Sequence, residues 1–353
     1  MKRGISGSLK VSAIIVGSVI GAGFASGQEV MRFFTGHGIK GLGSMVLSGL
    51  LFIWICYRVF AGEGEEYKSY LRTMMPTPMA TLTEGVTLVF MLFSYGAMLS
   101  GSGALMQQEW GWNYYSGILV MLAGTMLVFL GGMKGLVWIN SVMVPLIVGM
   151  LLWVCLGGLS RSALESAYLQ ASPLSIPWSE LPSLEFLWDG LLYTSYNLLT
   201  LVPVLCTLRS TIPSQKEKIT AAIAGGGILL IISLILGLAS LANYDTMKGM
   251  EIPILALLGD EQLQSMACCF LLLAAMLTTA ISDGYICIRY LSKRGMNWQI
   301  SVCVVGLAGG VIAGMGFSSL VGKVYPLFGV LGLGLLAAIT IQWARDREKE
   351  QFR

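Results

Sequence analysis

Long runs of apolar residues dominate the chain. No charged residue occurs within 135–160, 219–244, 262–282, 295–322 or 324–344. Each run is long enough to cross roughly 30 Å of hydrocarbon as an α-helix, which takes about 20 residues. A transmembrane β-barrel would instead show short segments in which apolar and polar residues alternate. The pattern therefore predicts an all-α polytopic membrane protein.

The apolar runs predict ten transmembrane helices in a single membrane domain, 1–353. Their approximate bounds are 10–35, 41–61, 81–107, 114–131, 135–157, 185–209, 218–243, 264–292, 297–316 and 321–344. Cytoplasmic loops of membrane proteins are enriched in Lys and Arg. With the N-terminus inside, 17 of the 22 basic residues fall on the cytoplasmic side and 5 outside. We therefore expect both termini, including a tail at 345–353, on the cytoplasmic side of a bacterial inner membrane.

Composition agrees with this class and narrows the function. Charged residues make up 12% of the chain, about half the share of a typical soluble domain. The basic residues lie in short loops, which argues against nucleic-acid binding and leaves the lipid bilayer and a small molecule as predicted partners. The seven cysteines lie in apolar segments without metal-binding spacing, so we expect free thiols and no cofactor. No catalytic motif appears, which predicts that the chain is not an enzyme.

The ten spans divide into two sets of five, 10–157 and 185–344. An odd number per set requires the second set to cross the membrane in the opposite direction, as in the inverted repeats of many secondary transporters. The first span contains several glycines followed by the carboxylate of Glu29, which predicts an interrupted helix. The sixth span contains a polar cluster at 194–197, with Pro203 beyond it, which predicts a matching break. Paired breaks indicate a binding site between the repeats.

Two loop segments also carry predictions. The apolar run 252–258 is too short to cross a membrane and lies between polar residues of the loop 245–261. We expect it to form a short helix over the extracellular face, where it would serve as a lid. The segment 63–68 is expected to be a solvated turn without chemistry, and His37 is expected in a loop without a ligand role.

The first span resembles a known superfamily. The string Gly17-Ser18-Val19-Ile20-Gly21-Ala22-Gly23-Phe24 resembles the first-helix motif of amino acid–polyamine–organocation transporters, which have the LeuT fold. Extended through Ser26-Gly27-Gln28-Glu29, it is most similar to the YkvI-type family of bacterial membrane proteins. The resemblance implies a central substrate site lined by spans one, three, six and eight.

The resemblance also implies ligands. Backbone N–H groups at the first break would bind a substrate carboxylate, and span six would supply side chains and carbonyls, with a hydroxyl from span three. The implied substrate-binding residues are Ala22, Gly23, Phe24, Glu29, Tyr95, Tyr193, Thr194, Ser195, Tyr196 and Asn197. The segment Ala275-Met276-Leu277-Thr278-Thr279 resembles the span-eight half of a sodium site, and oxygen ligands suit a hard cation. The implied sodium ligands are Gly17, Ile20, Ala275, Thr278 and Thr279.

Ionisable residues inside the spans leave the coupling ion open. Glu29 is predicted to bind a substrate amine, to carry a proton, or to pair with Arg32 at i+3 as an outer gate. Asp189 lies near the outer vestibule, and Asp283 lies one helical turn below Thr279 on a plausible ion exit route. The favoured function is sodium-coupled symport of a small amino acid or related amine. The alternatives are a proton-coupled carrier and a membrane ligand receptor on the same fold.

Overall fold

The computed structural model describes residues 2–63, 66–131, 136–169, 184–209, 212, 214–259 and 262–351. No β-strand occurs in these ranges, and nearly all of the chain there is helical. The α-helices are α1 (Lys2–Val19), α2 (Ala22–Ala25), α3 (Gln28–Phe33), α4 (Ile39–Ala61), α5 (Tyr67–Met74), α6 (Thr77–Trp110), α7 (Tyr114–Gly131), α8 (Leu136–Leu169), α9 (Glu185–Leu208), α10 (Gln215–Ala242), α11 (Tyr244–Met247), α12 (Gln262–Lys293), α13 (Trp298–Ala313), α14 (Phe317–Ser319) and α15 (Tyr325–Gln351). Thr35–His37 and Pro253–Leu257 form 3-10 helices, and Leu320–Val324 forms a π-helical turn.

Eight helices in the described ranges are long and apolar enough to cross a membrane. Two shorter apolar helices, Lys10–Val19 and Trp298–Ala313, accompany them. Since a helix satisfies its own backbone hydrogen bonds, this composition is compatible with a hydrocarbon environment. The chain is a helical, multi-pass membrane protein, and the count of ten spans stays a prediction.

The predicted interruption of the first span is confirmed. Helix α1 ends at Val19, and Gly21 has an extended backbone with φ −83° and ψ −177°. After the single turn of α2, Gly27 takes the left-handed conformation with φ +83°. Residues with a side chain rarely adopt this conformation, whereas glycine does so readily. The span therefore consists of the end of α1 and two short helices, α2 and α3, with Gly21 and Gly27 at the junctions.

The predicted break in the sixth span is wrong, because α9 is one continuous helix from Glu185 to Leu208. The Thr194 hydroxyl donates to the Gly190 carbonyl at 3.0 Å, and the Asn197 amide donates to the Tyr193 carbonyl at 2.9 Å. Polar side chains in a helix can bond to carbonyls one turn earlier in this way. The polar cluster is thus accommodated without freeing the backbone.

The helices around the broken span pack closely through small residues. Helix α9 packs against α15 and α4, and α6 packs against α12 and α13. At the α9–α15 contact, a Cβ added to Gly332 would lie only 2.3 Å from the Ser195 carbonyl oxygen. A glycine is therefore needed for these two backbones to approach each other.

Several boundaries differ from the prediction. The segment predicted as a solvated turn leads into α5, where Tyr70, Leu71 and Met74 are buried against the bundle. Helix α8 continues to Leu169 rather than ending near 157, and most of the predicted long connection 158–184 lies outside the described residues. The predicted tail begins as a continuation of α15.

Candidate functional site

A cavity of about 60 Å³ lies at the break in the first span. Its lining comes from that span, α6, α9, α12 and α15: Ser18, Val19, Gly21, Gly23, Glu29, Phe90, Ser94, Met98, Tyr196, Asn197, Thr200, Thr279, Asp283 and Tyr325. The first, third, sixth and eighth predicted spans therefore meet at one cavity, joined by the tenth.

Two carboxyl groups face this cavity. Glu29 and Asp283 are 5% and 7% exposed, and each has one carboxyl oxygen that is buried without a hydrogen-bond partner among the described residues. Within the described ranges, neither group forms an ion pair, and no Lys, Arg or His lines the cavity. Since burying a carboxylate without a partner is costly, each of these groups needs either a bound cation or a proton.

The Glu29 carboxylate lies directly against Gly23, near the start of α2. A Cβ added to Gly23 would be 2.2 Å from Glu29 Oε1 and 2.9 Å from its carboxyl carbon. The carboxylate thus occupies the space in which any other residue at 23 would place its side chain. The first N–H groups of a helix have no partner within the helix, so a nearby anion is favourable there.

Three aromatic rings form one wall of the cavity. The ring centroids of Phe90, Tyr196 and Tyr325 lie between 5.1 and 5.7 Å from one another. The Tyr196 hydroxyl faces Glu29. The Ser94 hydroxyl lies beside both the Asp283 carboxyl and the Tyr325 hydroxyl. Aromatic rings and hydroxyls therefore lie around the two carboxyl groups.

A cluster of charges lies at the predicted outer end of the site. Arg32 Nη1 and His37 Nε2 contact the same oxygen of Asp189, at 2.7 and 2.9 Å. The predicted pairing of Arg32 with Glu29 is therefore wrong, because Arg32 turns toward α9 instead. His37 joins the cluster, a contact that its expected place in a loop did not predict. These contacts tie α3 and the adjoining 3-10 helix to α9.

The segment 243–259 packs over the first break. The Ile254 N–H donates to the Ser26 carbonyl at 2.8 Å, and the Ile252 N–H donates to the Gln108 side chain at 3.1 Å. Ser318, which also bonds to Gln28, donates its N–H to Glu251 at 3.0 Å. The predicted short helix is thus present as the 3-10 helix Pro253–Leu257, and its role as a lid stays a prediction.

The opposite end of the bundle is held by a second set of charges. Arg58 of α4 pairs with Asp346 of α15 at 2.7 Å, and the Arg209 guanidinium lies 4.9 Å from the centre of the Tyr70 ring. On this side of the cavity, Ser18 and Thr200 are only half-buried.

The structure brings some of the predicted site residues to the cavity and not others. Those lining it are Gly23, Glu29, Tyr196, Asn197, Thr279 and Asp283. Ala22 and Phe24 are buried in α2, and Tyr193 packs among Phe33, Phe34 and Phe52. The Thr194 side chain bonds within α9, and Ser195 lies against α15. Tyr95 points away from the cavity, with its hydroxyl 3.0 Å from that of Thr125.

The predicted sodium ligands lie on α1, at the break that follows it, and on α12. The Thr278 hydroxyl donates to the Ala275 carbonyl at 3.0 Å, which leaves lone pairs on both oxygens. Gly17 faces Val144 of α8, and Ile20 is buried beside the break. Among the predicted ligands, Thr279 is the residue that lines the cavity.

Sequence reasoning missed several lining residues. Ser94 immediately precedes Tyr95, and the one-residue difference places it on the cavity side of α6. Phe90 lies one helical turn before Ser94 and therefore on the same face of α6. The helical period would thus predict Phe90 as a lining residue once Ser94 is placed at the cavity. Tyr325 begins α15 after the π-helical turn, and no spacing in the sequence marks it.

In sequence, the chain is similar to two uncharacterized proteins of Bacillus subtilis. No protein-family model matches the sequence. The chain is 27% identical to the uncharacterized protein YyaD of Bacillus subtilis, over 94% of this chain and 96% of YyaD. It is 25% identical to the uncharacterized membrane protein YkvI of the same organism, over 98% of this chain and 99% of YkvI.

Solved structures with a similar fold are transporters rather than enzymes. Mhp1, a nucleobase-cation-symport-1 family transporter in a closed conformation with bromovinylhydantoin bound, has a TM-score of 0.65 at 16% identity, covering 94% of this chain and 77% of Mhp1. MhsT in complex with L-phenylalanine has a TM-score of 0.64 at 16% identity, covering 92% of this chain and 86% of MhsT. A Na+-coupled sialic acid symporter has a TM-score of 0.63 at 12% identity, covering 93% of this chain and 77% of the symporter. The chain is therefore a homologue of YyaD and YkvI with the LeuT fold, which confirms the resemblance of its first span to the YkvI-type family.

Proposed function

We propose that this chain is a secondary active transporter that moves a small amine-bearing solute, an amino acid or a related amine, by alternating access. The observation that carries the proposal is the cavity at the broken first span, in which Glu29 and Asp283 face hydroxyls and aromatic rings. Intramembrane ionisable groups that face a cavity typically mark a substrate or ion pathway. Charged clusters at both ends of the cavity supply contacts that could break and reform as the protein alternates.

The fold neighbours support a small solute. Mhp1 holds bromovinylhydantoin and MhsT holds L-phenylalanine in their solved structures. The cavity here is small, about 60 Å³, so a solute of few heavy atoms or a wider cavity in another conformation is required.

Sodium is the first candidate for the coupling ion. The sialic acid symporter with a similar fold is Na+-coupled, and Thr279 lies in the cavity close to the end of α1. The Thr278 hydroxyl donates its proton to the Ala275 carbonyl, and its oxygen lone pairs could still coordinate a sodium ion there. Proton coupling is the second candidate, because Glu29 and Asp283 are carboxyls without a basic partner in the described part of the cavity.

The test begins with thermal unfolding of the purified full chain against amino acids and amines, with sodium or an equal concentration of potassium. A ligand that binds the folded state raises the unfolding temperature according to its concentration and affinity. Uptake of the best ligand into proteoliposomes is then measured under a sodium gradient or a pH gradient. Absence of uptake under both gradients, for a ligand that binds, would reject a transporter.

Thr279→Val tests the sodium part. Thr340→Val is the matched control, because Thr340 is an exposed threonine of α15 that lies outside the cavity lining. Sodium coupling predicts that only Thr279→Val abolishes the sodium dependence of ligand binding. Uptake that follows the pH gradient and ignores sodium would favour the proton-coupled candidate.

A further inference from the structure

We propose that the solute is a small organic ammonium ion without a carboxylate, bound with its charge between Glu29 and the rings of Phe90, Tyr196 and Tyr325. This inference rests on the proposed function and narrows its substrate class. It separates two classes that the proposed function leaves together, namely amino acids and simple amines.

The charges of the cavity carry the first step. Glu29 and Asp283 both face it, and the described lining contains no Lys, Arg or His. An amino acid would bring a third carboxylate into this low-dielectric space, without a cationic side chain to receive it. An ammonium ion instead supplies a donor to the orphaned carboxyl oxygens.

The position of Glu29 carries the second step. Backbone N–H groups at Ala22, Gly23 and Phe24 are where an amino acid carboxylate is expected to bind. The Glu29 carboxylate already lies against Gly23, within the distance that a Cβ there would occupy. A substrate carboxylate at these N–H groups would therefore lie close to the Glu29 carboxylate, and the two like charges would repel each other.

The aromatic wall carries the third step. Ammonium groups are attracted to aromatic faces within about 6 Å of the ring centre, and the attraction strengthens when water is excluded. Phe90, Tyr196 and Tyr325 are each no more than 3% exposed and line the cavity beside Glu29. Asp283 of α12 lies beside Ser94. In this proposal, Asp283 binds a second positive charge, from a coupling cation or from a second amine group.

The experiment compares pairs of compounds that differ by one carboxylate. Ethylamine is compared with alanine, isobutylamine with valine, and cadaverine with lysine, by thermal unfolding of the purified full chain at increasing ligand concentration. We expect at least one amine to raise the unfolding temperature, with an apparent affinity roughly tenfold or more above that of its amino acid. That ratio corresponds to about 1.4 kcal/mol, the order of one like-charge contact away from bulk water. An amino acid that binds as well as its amine, or an absence of binding by all three amines, overturns the proposal.

Two variants test the residues. Glu29→Gln is expected to lose amine binding, whereas the control Glu185→Gln, at an exposed position at the start of α9, keeps it. Phe90→Leu removes an aromatic face while leaving both carboxyls in place, and is expected to weaken amine binding severalfold even where Glu29→Gln does not fold. Amine binding that is unchanged in Phe90→Leu and in a folded Glu29→Gln overturns the assignment. Amine binding without uptake would instead reject the transporter and leave the recognition intact.

Discussion

Gly23→Ala tests the contact between the broken span and its carboxylate. The added methyl group would lie 2.2 Å from Glu29 Oε1, well below the 3.4 Å at which ordinary van der Waals contact begins. The carboxylate must therefore retreat by roughly 1.2 Å, and the space open to it is the cavity. An ammonium ion hydrogen-bonded at about 2.8 Å would then be crowded or lost.

The size of the effect follows from the contact that is lost. A hydrogen bond to a charged group contributes about 1.5–3 kcal/mol, which corresponds to a roughly 10- to 140-fold weaker affinity. Protein stability should change less, because alanine favours the helix by about 1 kcal/mol and offsets part of the crowding. Binding of the best amine would be measured from the concentration dependence of the unfolding temperature.

Gly43→Ala is the matched control. Gly43 is an exposed helical glycine of α4, and an added Cβ there meets nothing within 4 Å. We expect its amine affinity to equal that of the unchanged chain. An affinity of Gly23→Ala within twofold of this control would show that the Glu29 carboxylate does not hold the ligand.

Three further predictions concern the bundle and the predicted outer end. Gly332→Ala should lower the unfolding temperature by an amount that reflects about 1–3 kcal/mol of overpacking, since its Cβ would meet the Ser195 carbonyl. The control Gly334→Ala, whose Cβ would meet nothing within 4 Å, should leave the unfolding temperature unchanged. Equal effects of the two substitutions would contradict the close α9–α15 contact. Arg32→Ala should accelerate amide hydrogen exchange in Gln28–Phe33 severalfold, since the pair with Asp189 is partly exposed and stabilises by about 1 kcal/mol; unchanged exchange would show that the pair does not hold α3. Tyr95→Phe should cost about 1 kcal/mol of stability and leave amine affinity unchanged, because its hydroxyl meets Thr125 rather than the cavity; a large loss of affinity would restore its predicted ligand role.

The sequence by itself determined the class of the protein and the first interruption. Uncharged runs of more than 20 residues have few alternatives to membrane helices, because hydrocarbon leaves backbone groups no other partners. Glycines at 21 and 27 favour a break because glycine weakens a helix, and at 27 it also permits the positive φ that ends the turn of α2. Both signals are local, so they can be read without knowledge of neighbouring helices.

Only the tertiary structure decided the shape of the site. The polar cluster of the sixth span is equally compatible with a broken helix and with side chains that bond back to their own helix, as Thr194 and Asn197 do. Local spacing suggested Glu29 as the partner of Arg32, whereas Asp189, 157 positions away in the chain, takes that contact. Which face of a buried helix meets a cavity depends on every neighbouring helix, and a membrane helix that is apolar on all sides carries no periodic signal to reveal it.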